Sequence, residues 1–542
     1  MKKLLFALVL LAMFIPAFGQ TDGMSLLEKG EYSIVQGDYE QAFEYAAAHL
    51  NNHPKDPDAY MLLALCCVNS GHNLTALEYT NLGIQHWNKK SKHELSKFYV
   101  MRAFVYQSEG NHEKALDEYA TAISKGGEQK GKIYLERGKL YYDIDDYENA
   151  EKDFATALKE DKEDKYIILL WLAKCQIAQK HYDNGGQTLD EVLAADPRNA
   201  DALRLRALTY LHQSNPSKKK CIDYYIRHFV ATEEADHDEM HDAMSLDYEY
   251  GLKSLSAAIN TAEDNASKYR MLMIRQNLLS DSLRYDEALR DLDQLQQIAA
   301  KWGTFDNYAS YLKAFYLIRI YRYQEALTEL ERLNNANLTA EAQAYVKYME
   351  GECRISMGDL PNAAHNFTEA MALDSSYVSD ACYNRGKIRH MQGNMPAALD
   401  DYEVAFLCNP SNHSKKYFHA RALIEAEQSL MTAVNEMLDL ANDSTCRLDT
   451  RMFALHFLNR DAEAINLMNE MLAHSPSPVD YYNAACLMAL TGDRLEMYKL
   501  LRTAAEKGYR SFNYIMVDMD FSQYRDSTEF QRFIEEIENE YR

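Results

Sequence analysis

Two histidines, His237 and His241, come closer than any other residues of this sequence to the spacing of a metal centre. Histidines at positions i and i+4 share one face of a helix, so both imidazoles can bind one ion. A zinc peptidase of the HExxH type needs a glutamate directly after the first histidine to activate the bound water. Here Asp238 takes that place and Glu239 follows it, which excludes this chemistry. A solvated acidic helix is the preferred interpretation, and no metal is predicted; a low-affinity divalent-cation site at the two histidines is the alternative.

Other catalytic motifs are missing from the sequence. It contains neither a GxxxxGK[ST] nor a GxGxxG phosphate loop, and it has no GxSxG nucleophile elbow. Carboxylates are frequent, with 82 Asp and Glu in 542 residues, so chance pairs of acids are expected. The sequence therefore predicts no enzyme activity and no cofactor.

The first 19 residues have the features of a bacterial secretory signal peptide. Lys2 and Lys3 precede an apolar run over 4–15, and a small-residue cleavage site leads to Gln20. The run is shorter than the roughly 20 residues of a membrane helix. No cysteine near the site would accept a lipid anchor, and no later run is apolar enough for an integral membrane segment. We expect export to the periplasm or cell envelope, or secretion.

The charge of the chain limits its partners. The formal net charge is -24, and it becomes -26 once the signal peptide with its two lysines is removed. Such a surface repels phosphate backbones and anionic lipids, so no nucleic acid is expected as a partner. The nine cysteines are odd in number and contain no CxxC pair, which predicts buried thiols rather than a disulfide framework.

One sequence motif recurs along the chain, as in DDYENAEKDFATAL and GNHEKALDEYATAI, and most copies have a small residue at their centre. Fourteen such anchor positions occur with a mean spacing of 35 residues, which is the sequence sign of a solenoid. A second small residue stands 12 positions before the anchor, and Gly often stands five positions before it. A large apolar residue often follows four positions after the anchor, and a small or apolar residue follows seven positions after it, on the same helix face. The pattern predicts two antiparallel helices that cross at small residues and are joined by a tight turn. The anchors are Ala42, Ala76, Ala115, Ala150, Gly185, Cys221, Gly251, Ala288, Ala326, Ala363, Ala398, Ala433, Ala464 and Met497.

This pattern resembles the tetratricopeptide repeat (TPR) family, in exported bacterial form. The resemblance implies an all-α fold, an α-α superhelix or TPR solenoid of about 13–14 helix-pair units with a C-terminal capping helix. The predicted organisation is a signal peptide (1–19), an N-terminal TPR block (20–230), an acidic degenerate repeat or insertion (231–265), a C-terminal TPR block (266–510) and a cap (511–542). The acidic part holds eight acids and no Lys or Arg between Glu233 and Glu249.

The resemblance also implies a binding surface. Family members bind peptides or proteins along a concave face lined by the first helix of each pair. Aromatic and cationic side chains at these positions suit an extended acidic or aromatic peptide; packing between neighbouring first helices is the alternative role for each of them. Carried over to this chain, the lining positions are Lys132, Leu135, Lys139 and Tyr142 in one unit, and Asp380, Tyr383, Lys387 and His390 in another.

The predicted function is an exported TPR scaffold that binds other proteins or peptides of the cell envelope without catalysis. A glycan-binding component of an outer-membrane nutrient-uptake system is the alternative. Such proteins normally carry a lipidated cysteine after the signal peptide and long insertions between repeats, and this sequence has neither. A sensor acting in trans is a third possibility. The discriminating observation is whether protein or polysaccharide is retained by the mature chain.

Overall fold

The computed structural model describes residues 24–127, 129–334 and 336–541, and throughout these ranges the regular structure is helical. The chain divides into two compact units, unit 1 ending at Thr261 and unit 2 beginning at Ala262. This boundary lies inside the acidic segment that the sequence separates from its neighbours. The predicted signal peptide, 1–19, lies outside the described residues.

Unit 1 contains seven consecutive helix pairs among its described residues. In each pair the two helices pack against each other, and the second helix packs against the first helix of the following pair. The helices are α1 (Leu26–Val35), α2 (Tyr39–Asn52), α3 (Pro57–Asn69), α4 (Asn73–His86), α5 (Leu95–Ser108), α6 (His112–Lys125), α7 (Lys130–Asp143), α8 (Tyr147–Glu160), α9 (Lys165–Ala178), α10 (Tyr182–Ala195), α11 (Ala200–His212), α12 (Lys218–Ala231), α13 (His237–Ser245) and α14 (Tyr248–Thr261).

Unit 2 continues with seven further pairs in its described part, then a short helix and a terminal one. Two 3₁₀ turns, Ser375–Tyr377 and Met519–Phe521, complete its regular structure. The helices are α15 (Asn265–Asp281), α16 (Tyr285–Lys301), α17 (Asn307–Arg319), α18 (Tyr323–Asn334), α19 (Ala340–Ser356), α20 (Leu360–Leu373), α21 (Val378–Met391), α22 (Met395–Cys408), α23 (His413–Glu425), α24 (Leu430–Asn442), α25 (Leu448–Phe457), α26 (Asp461–Ala473), α27 (Pro478–Thr491), α28 (Arg494–Glu506), α29 (Phe512–Ile515) and α30 (Thr528–Tyr541).

Small residues set the distance between the helices of a pair. The alanine anchors are fully buried, and large rings cover the small residues of the first helices. A Cβ atom added to Gly138 would lie 2.7 Å from the ring of Phe154, and one added to Gly386 would lie 2.9 Å from the ring of Tyr402. The prediction of helix pairs crossing at small residues is therefore confirmed, as is the all-α solenoid fold.

An ion pair recurs between the two helices of a pair. The acid on the second helix follows the cation of the first helix by 16 positions. In four of the five pairs the cation directly precedes the small residue of its helix, whereas Arg275 precedes Gln276. In one pair, Arg137 Nε and Nη2 donate to the carboxylate of Asp153 at 2.7 and 2.8 Å. Because the acids are largely buried, these bonds fix the register of the two helices. The pairs are Arg102–Glu118, Arg137–Asp153, Arg275–Asp291, Lys313–Glu329 and Arg385–Asp401.

Eight of the nine cysteines are buried as free thiols, as the sequence predicts, and Cys408 is exposed. Helix α30 follows Ser527 as expected and buries Phe530, Ile534 and Ile537. Among the helices of the described ranges, none has the length and apolarity that a bilayer span requires.

Candidate binding surfaces on the first helices

One first helix of unit 1, α7, carries four of the predicted binding residues: Lys132, Leu135, Lys139 and Tyr142. Lys132 Nζ lies 3.7 Å from Asp164, and Lys139 Nζ lies 2.6 Å from Glu136. Leu135 is only 4 % exposed and belongs to the core between α7, α8 and α9. The two lysines and Tyr142 remain partly exposed, so α7 offers a ligand charges and an aromatic ring but not the leucine.

Trp171 on α9 connects the α7 residues to the next pair. Its ring centroid lies 5.7 Å from Lys139 Nζ and 4.8 Å from Lys174 Nζ. Tyr142 meets Trp171 edge to face with centroids 5.6 Å apart, and Phe154 stacks on it from the core side. We call Lys139, Tyr142, Trp171 and Lys174 the unit 1 cluster.

Sequence reasoning did not select Trp171 or Lys174. A signal for Lys174 exists, because it directly follows Ala173, as Lys139 directly follows Gly138, and both residues are the small residues of their first helices. Equal repeat positions on neighbouring first helices place both ammonium groups on the same face.

The first pairs of unit 1 are partly covered by the chain itself. The loop between α4 and α5 brings Lys92 Nζ to 2.6 Å from Glu31 on α1. In the same loop the backbone N–H groups of Lys92 and His93 donate to Asp58 at the start of α3. This loop makes the interval between the anchors Ala76 and Ala115 longer than the mean. Its residues contact α1 and α3 and cover part of their surface.

In unit 2 the first helices are covered by a segment that follows α28. Residues Tyr509–Phe521, hereafter the C-terminal segment, run past four first helices or the turns that follow them. Their side chains are mostly buried. The contacts are Tyr509 with Tyr321 (ring centroids 6.0 Å), Ser511 Oγ with Tyr323 Oη (2.7 Å), Tyr514 with Lys387 (5.7 Å), Asp518 with Tyr482, and Asp520 with Arg421 (2.6 Å).

The predicted residues of α21 lie beneath or beside this segment. Lys387 Nζ is 5.7 Å from the ring centroids of Tyr383, Phe418 and Tyr514. Three rings therefore surround one ammonium group, and one of these rings belongs to the C-terminal segment.

The other two predicted residues of α21 have partners on α23. His390 is 7 % exposed and lies 2.6 Å from Glu425. Asp380 is held at 2.6 Å by Lys415. The structure thus brings the four α21 residues into a face whose polar groups already have partners within the chain.

The carboxylates of the C-terminal segment have unusual electrostatics. Burial and the neighbouring charge of Asp520 raise the pKa of Asp518 to about 6 from an ordinary 3.8, while the Tyr482 hydroxyl and Lys387 oppose that rise. Burial also lowers the pKa of Lys387, against the attraction of Asp518, Glu352 and Asp520. Burial thus outweighs the attraction between these groups, and the fold disfavours the ionised form of Asp518.

One group of clustered metal-ligand types occurs among the described residues: Cys486, Asp518 and Asp520, with ligand atoms within 4.8 Å of one another. Arg421 Nη1 lies 2.6 Å from Asp520 Oδ1, an ion pair without hydrogen-bond alignment, and Tyr482 donates to Asp518. Both carboxylates therefore already have protein partners, and we assign no metal to them.

The histidines of α13 have separate surroundings. The ring of His237 meets Phe229 edge to face at 5.2 Å, whereas His241 Nδ1 lies 3.9 Å from Asp242.

This architecture, consecutive helix pairs crossing at small residues, defines an α-solenoid protein. Residues 141–208 match the family model described as tetratricopeptide repeat. The same pair geometry extends through the described parts of both units. The chain is a tetratricopeptide repeat protein, as its repeated motif predicts. Proteins of this family bind proteins or peptides and are generally not catalysts.

Several solved structures are similar over part of the chain. A tetratricopeptide repeat protein from Parabacteroides merdae has 20% identity, covering 46% of this chain and 97% of that one, with a TM-score of 0.33. The C-terminal part of a TPR repeat-containing protein from Cytophaga hutchinsonii has 16% identity, with coverages of 46% and 95% and a TM-score of 0.36. A thermophilic TPR protein from Thermus thermophilus has 22% identity, with coverages of 34% and 97% and a TM-score of 0.25. No curated protein matches the chain.

Proposed function

We propose that this protein is an exported, non-catalytic scaffold that binds partner proteins of the cell envelope through the unit 1 cluster. The observation that carries the proposal is the position of Trp171 between two ammonium groups, those of Lys139 and Lys174, on a partly exposed face. Ile167 at the start of the same helix is 52% exposed and adds apolar surface. A surface with an aromatic anchor and cations at its sides is typical of peptide recognition.

The charges favour an acidic partner. Lys139 is paired with Glu136, and Lys174 is paired with Asp201. The distance from Lys174 Nζ to Asp201 is 3.2 Å, and the Asp201 side chain is largely exposed. Exposed ion pairs contribute little free energy, so a ligand carboxylate can replace Asp201 at small cost. A segment with an aromatic or aliphatic residue next to one or two acids would contact both the indole and the lysines.

Unit 2 supports this ligand class. Lys387 directly follows Gly386, the small residue of α21, and so occupies the repeat position of Lys139 and Lys174. There the chain's own segment presents the ring of Tyr514 to this lysine, and burial lowers the lysine pKa while Asp518 and Asp520 act to raise it. A first helix of this protein thus meets an aromatic and acidic segment through a lysine at this position.

The binding test uses the mature chain, 20–542, and a fluorescein-labelled peptide with the sequence of residues 512–521. Binding followed by anisotropy should be lost in a Trp171→Leu, Lys139→Met, Lys174→Met variant. The matched control is Lys152→Met, Lys159→Met, which removes the same charge from the exposed side of α8. Equal loss in both variants would mean that net charge alone attracts the peptide and that the unit 1 cluster is not the site.

The partner is then sought by retention from envelope extract of the source cells. Proteins retained by the wild type and the control but not by the cluster variant would support the scaffold. Retention of a polysaccharide alone would replace it by the glycan-binding alternative.

Export is tested separately. Expression in a bacterial host should yield periplasmic protein whose N-terminal sequence begins at Gln20. Full-length protein that stays in the cytoplasm with its first 19 residues would contradict the proposal.

A further inference from the structure

Four tyrosines of unit 2 form a continuous row, three of them on first helices and one directly before a first helix. Tyr308 and Tyr311 lie on α17, Tyr345 lies on α19, and Tyr377 precedes α21. Their ring centroids are separated by 6.5, 5.5 and 6.0 Å in that order. We call these four residues the tyrosine row.

Two tyrosines of the row stand at a position that the family resemblance predicts for the binding face. Tyr308 and Tyr345 stand six residues before the small residues Ala314 and Gly351, the place that Lys132 holds relative to Gly138. Tyr308 is 52% exposed, and the other three rings are half-buried. A shallow cavity of about 480 Å³, lined by Phe305, Asn307 and Arg332 among others, adjoins Tyr308. Arg332 is paired there with Glu329 at 3.0 Å.

Some tyrosines of the described first helices lie beneath the chain's own cations, and the rings of the tyrosine row do not. Arg102 lies over Tyr99, and Arg206 lies 3.9 Å from the ring centroid of Tyr210. Further tyrosines of the described first helices, such as Tyr134 and Tyr383, also have a Lys or Arg within 6 Å of the ring centroid. Within the described residues, no such contact occurs at the tyrosine row.

Carboxylates adjoin the row. Glu341 stands one helical turn before Tyr345 on α19, and Asp374 stands three residues before Tyr377. Burial raises the pKa of Tyr377, and the charges of Asp374 and Glu341 raise it further. Among the described residues, neither acid has a cationic side chain within 4 Å, whereas Asp380 beside them is paired with Lys415 at 2.6 Å. The face therefore combines partly exposed tyrosine rings with two carboxylates that have no ion pair within the described residues.

We propose that the tyrosine row binds a Lys- or Arg-bearing extended segment of a partner protein, its cations lying over the rings and beside Glu341 and Asp374. Ring faces attract ammonium and guanidinium groups, and adjacent carboxylates complete their coordination. This site is separate from the unit 1 cluster and takes a ligand of opposite charge, so either proposal can fail without the other. It deepens the scaffold function by giving the chain two recognition surfaces.

The test uses the mature full chain and a short fluorescein-labelled peptide of alternating lysine and glycine. Replacing Tyr308 and Tyr345 by leucine leaves the net charge unchanged and removes two ring faces. We expect binding to weaken about tenfold. Tyr166→Leu, at an exposed tyrosine of unit 1, is the control and should bind as the wild type does.

A second pair of variants tests the carboxylates without touching the packed rings. Glu341→Gln should weaken binding about threefold, whereas Glu403→Gln, on the exposed side of α22, should have less effect at the same net charge. Equal weakening in both, or binding that survives the tyrosine changes, would show attraction by net charge alone and overturn the proposal. The same peptide with acetylated lysines should not bind. If it binds equally well, or if a neutral oligosaccharide binds and is lost with the tyrosines, the row recognises something other than cations.

Discussion

Replacing Lys180 by glycine should stabilise unit 1. Lys180 is the last residue of the turn that follows α9. Its φ is 63°, in the left-handed region, and its side chain is exposed. A residue with a Cβ costs about 1–2 kcal/mol in that conformation. Glycine removes this strain, but it also destabilises the folded chain by about 0.4–1 kcal/mol, because it has more conformational freedom in the unfolded state. The net gain is about 0.5–1 kcal/mol, or about 2–3 °C in Tm for a unit of this size.

The equivalent turn after α5 provides the reverse change. Gly110 has a φ of 75°, and a Cβ added there would meet no atom within 4 Å. Gly110→Ala should therefore cost about 1 kcal/mol through the backbone alone.

Thermal and urea unfolding of the full chain, with amide exchange of α9 and α10, would measure both effects. Lys180→Ala is the control and should be close to neutral, since it keeps a Cβ at the same φ. If Lys180→Gly lowers stability, or if alanine and glycine act alike at this position, the strain argument is wrong.

Two further predictions concern buried charges. The pKa of Asp518 is raised to about 6 in the folded chain, chiefly by burial and then by Asp520, so its contribution to stability is full below its ordinary pKa of 3.8 and is lost as pH rises through 6. Asp518→Asn should flatten the fall in Tm between these pH values, an effect of about 3 kcal/mol; an unchanged pH profile would contradict it. Because Arg137 and Asp153 share two hydrogen bonds at 2.7 and 2.8 Å, a double-mutant cycle to alanine should give a coupling of about 1–2 kcal/mol. Additive effects would show that the pair does not fix the helices.

The repeated pattern was enough to predict the helix pairs, because each pair is determined locally. The anchors, the turn five residues before them and the rings four residues after them lie within one repeat. The recurring ion pair could also have been predicted, from a cation 13 positions before the anchor and an acid three positions after it. Sequence reasoning missed it because these residues were taken as solvated charges, whereas Asp153 is 5% exposed.

The candidate sites were predictable only in part. The positions on α7 and α21 follow from the repeat, and the structure places Lys139, Tyr142, Tyr383 and Lys387 on first helices as expected. Leu135 is the exception, because packing against α8 and α9 removes it from the surface. Trp171 was missed because it lies two positions before the small residue, at none of the offsets that the repeat comparison singled out.

The sequence by itself determined the elements: their length, their pairing and the small residues at which they cross, since all of these depend on contacts within a repeat or with its neighbour. Tertiary structure alone decided which faces remain open. The C-terminal segment reaches Tyr321 across 188 residues of chain, and the tyrosine row joins residues of three successive pairs. Such contacts depend on the small rotation of each helix pair relative to the one before it, summed over several pairs. The residues of a single repeat do not determine this sum.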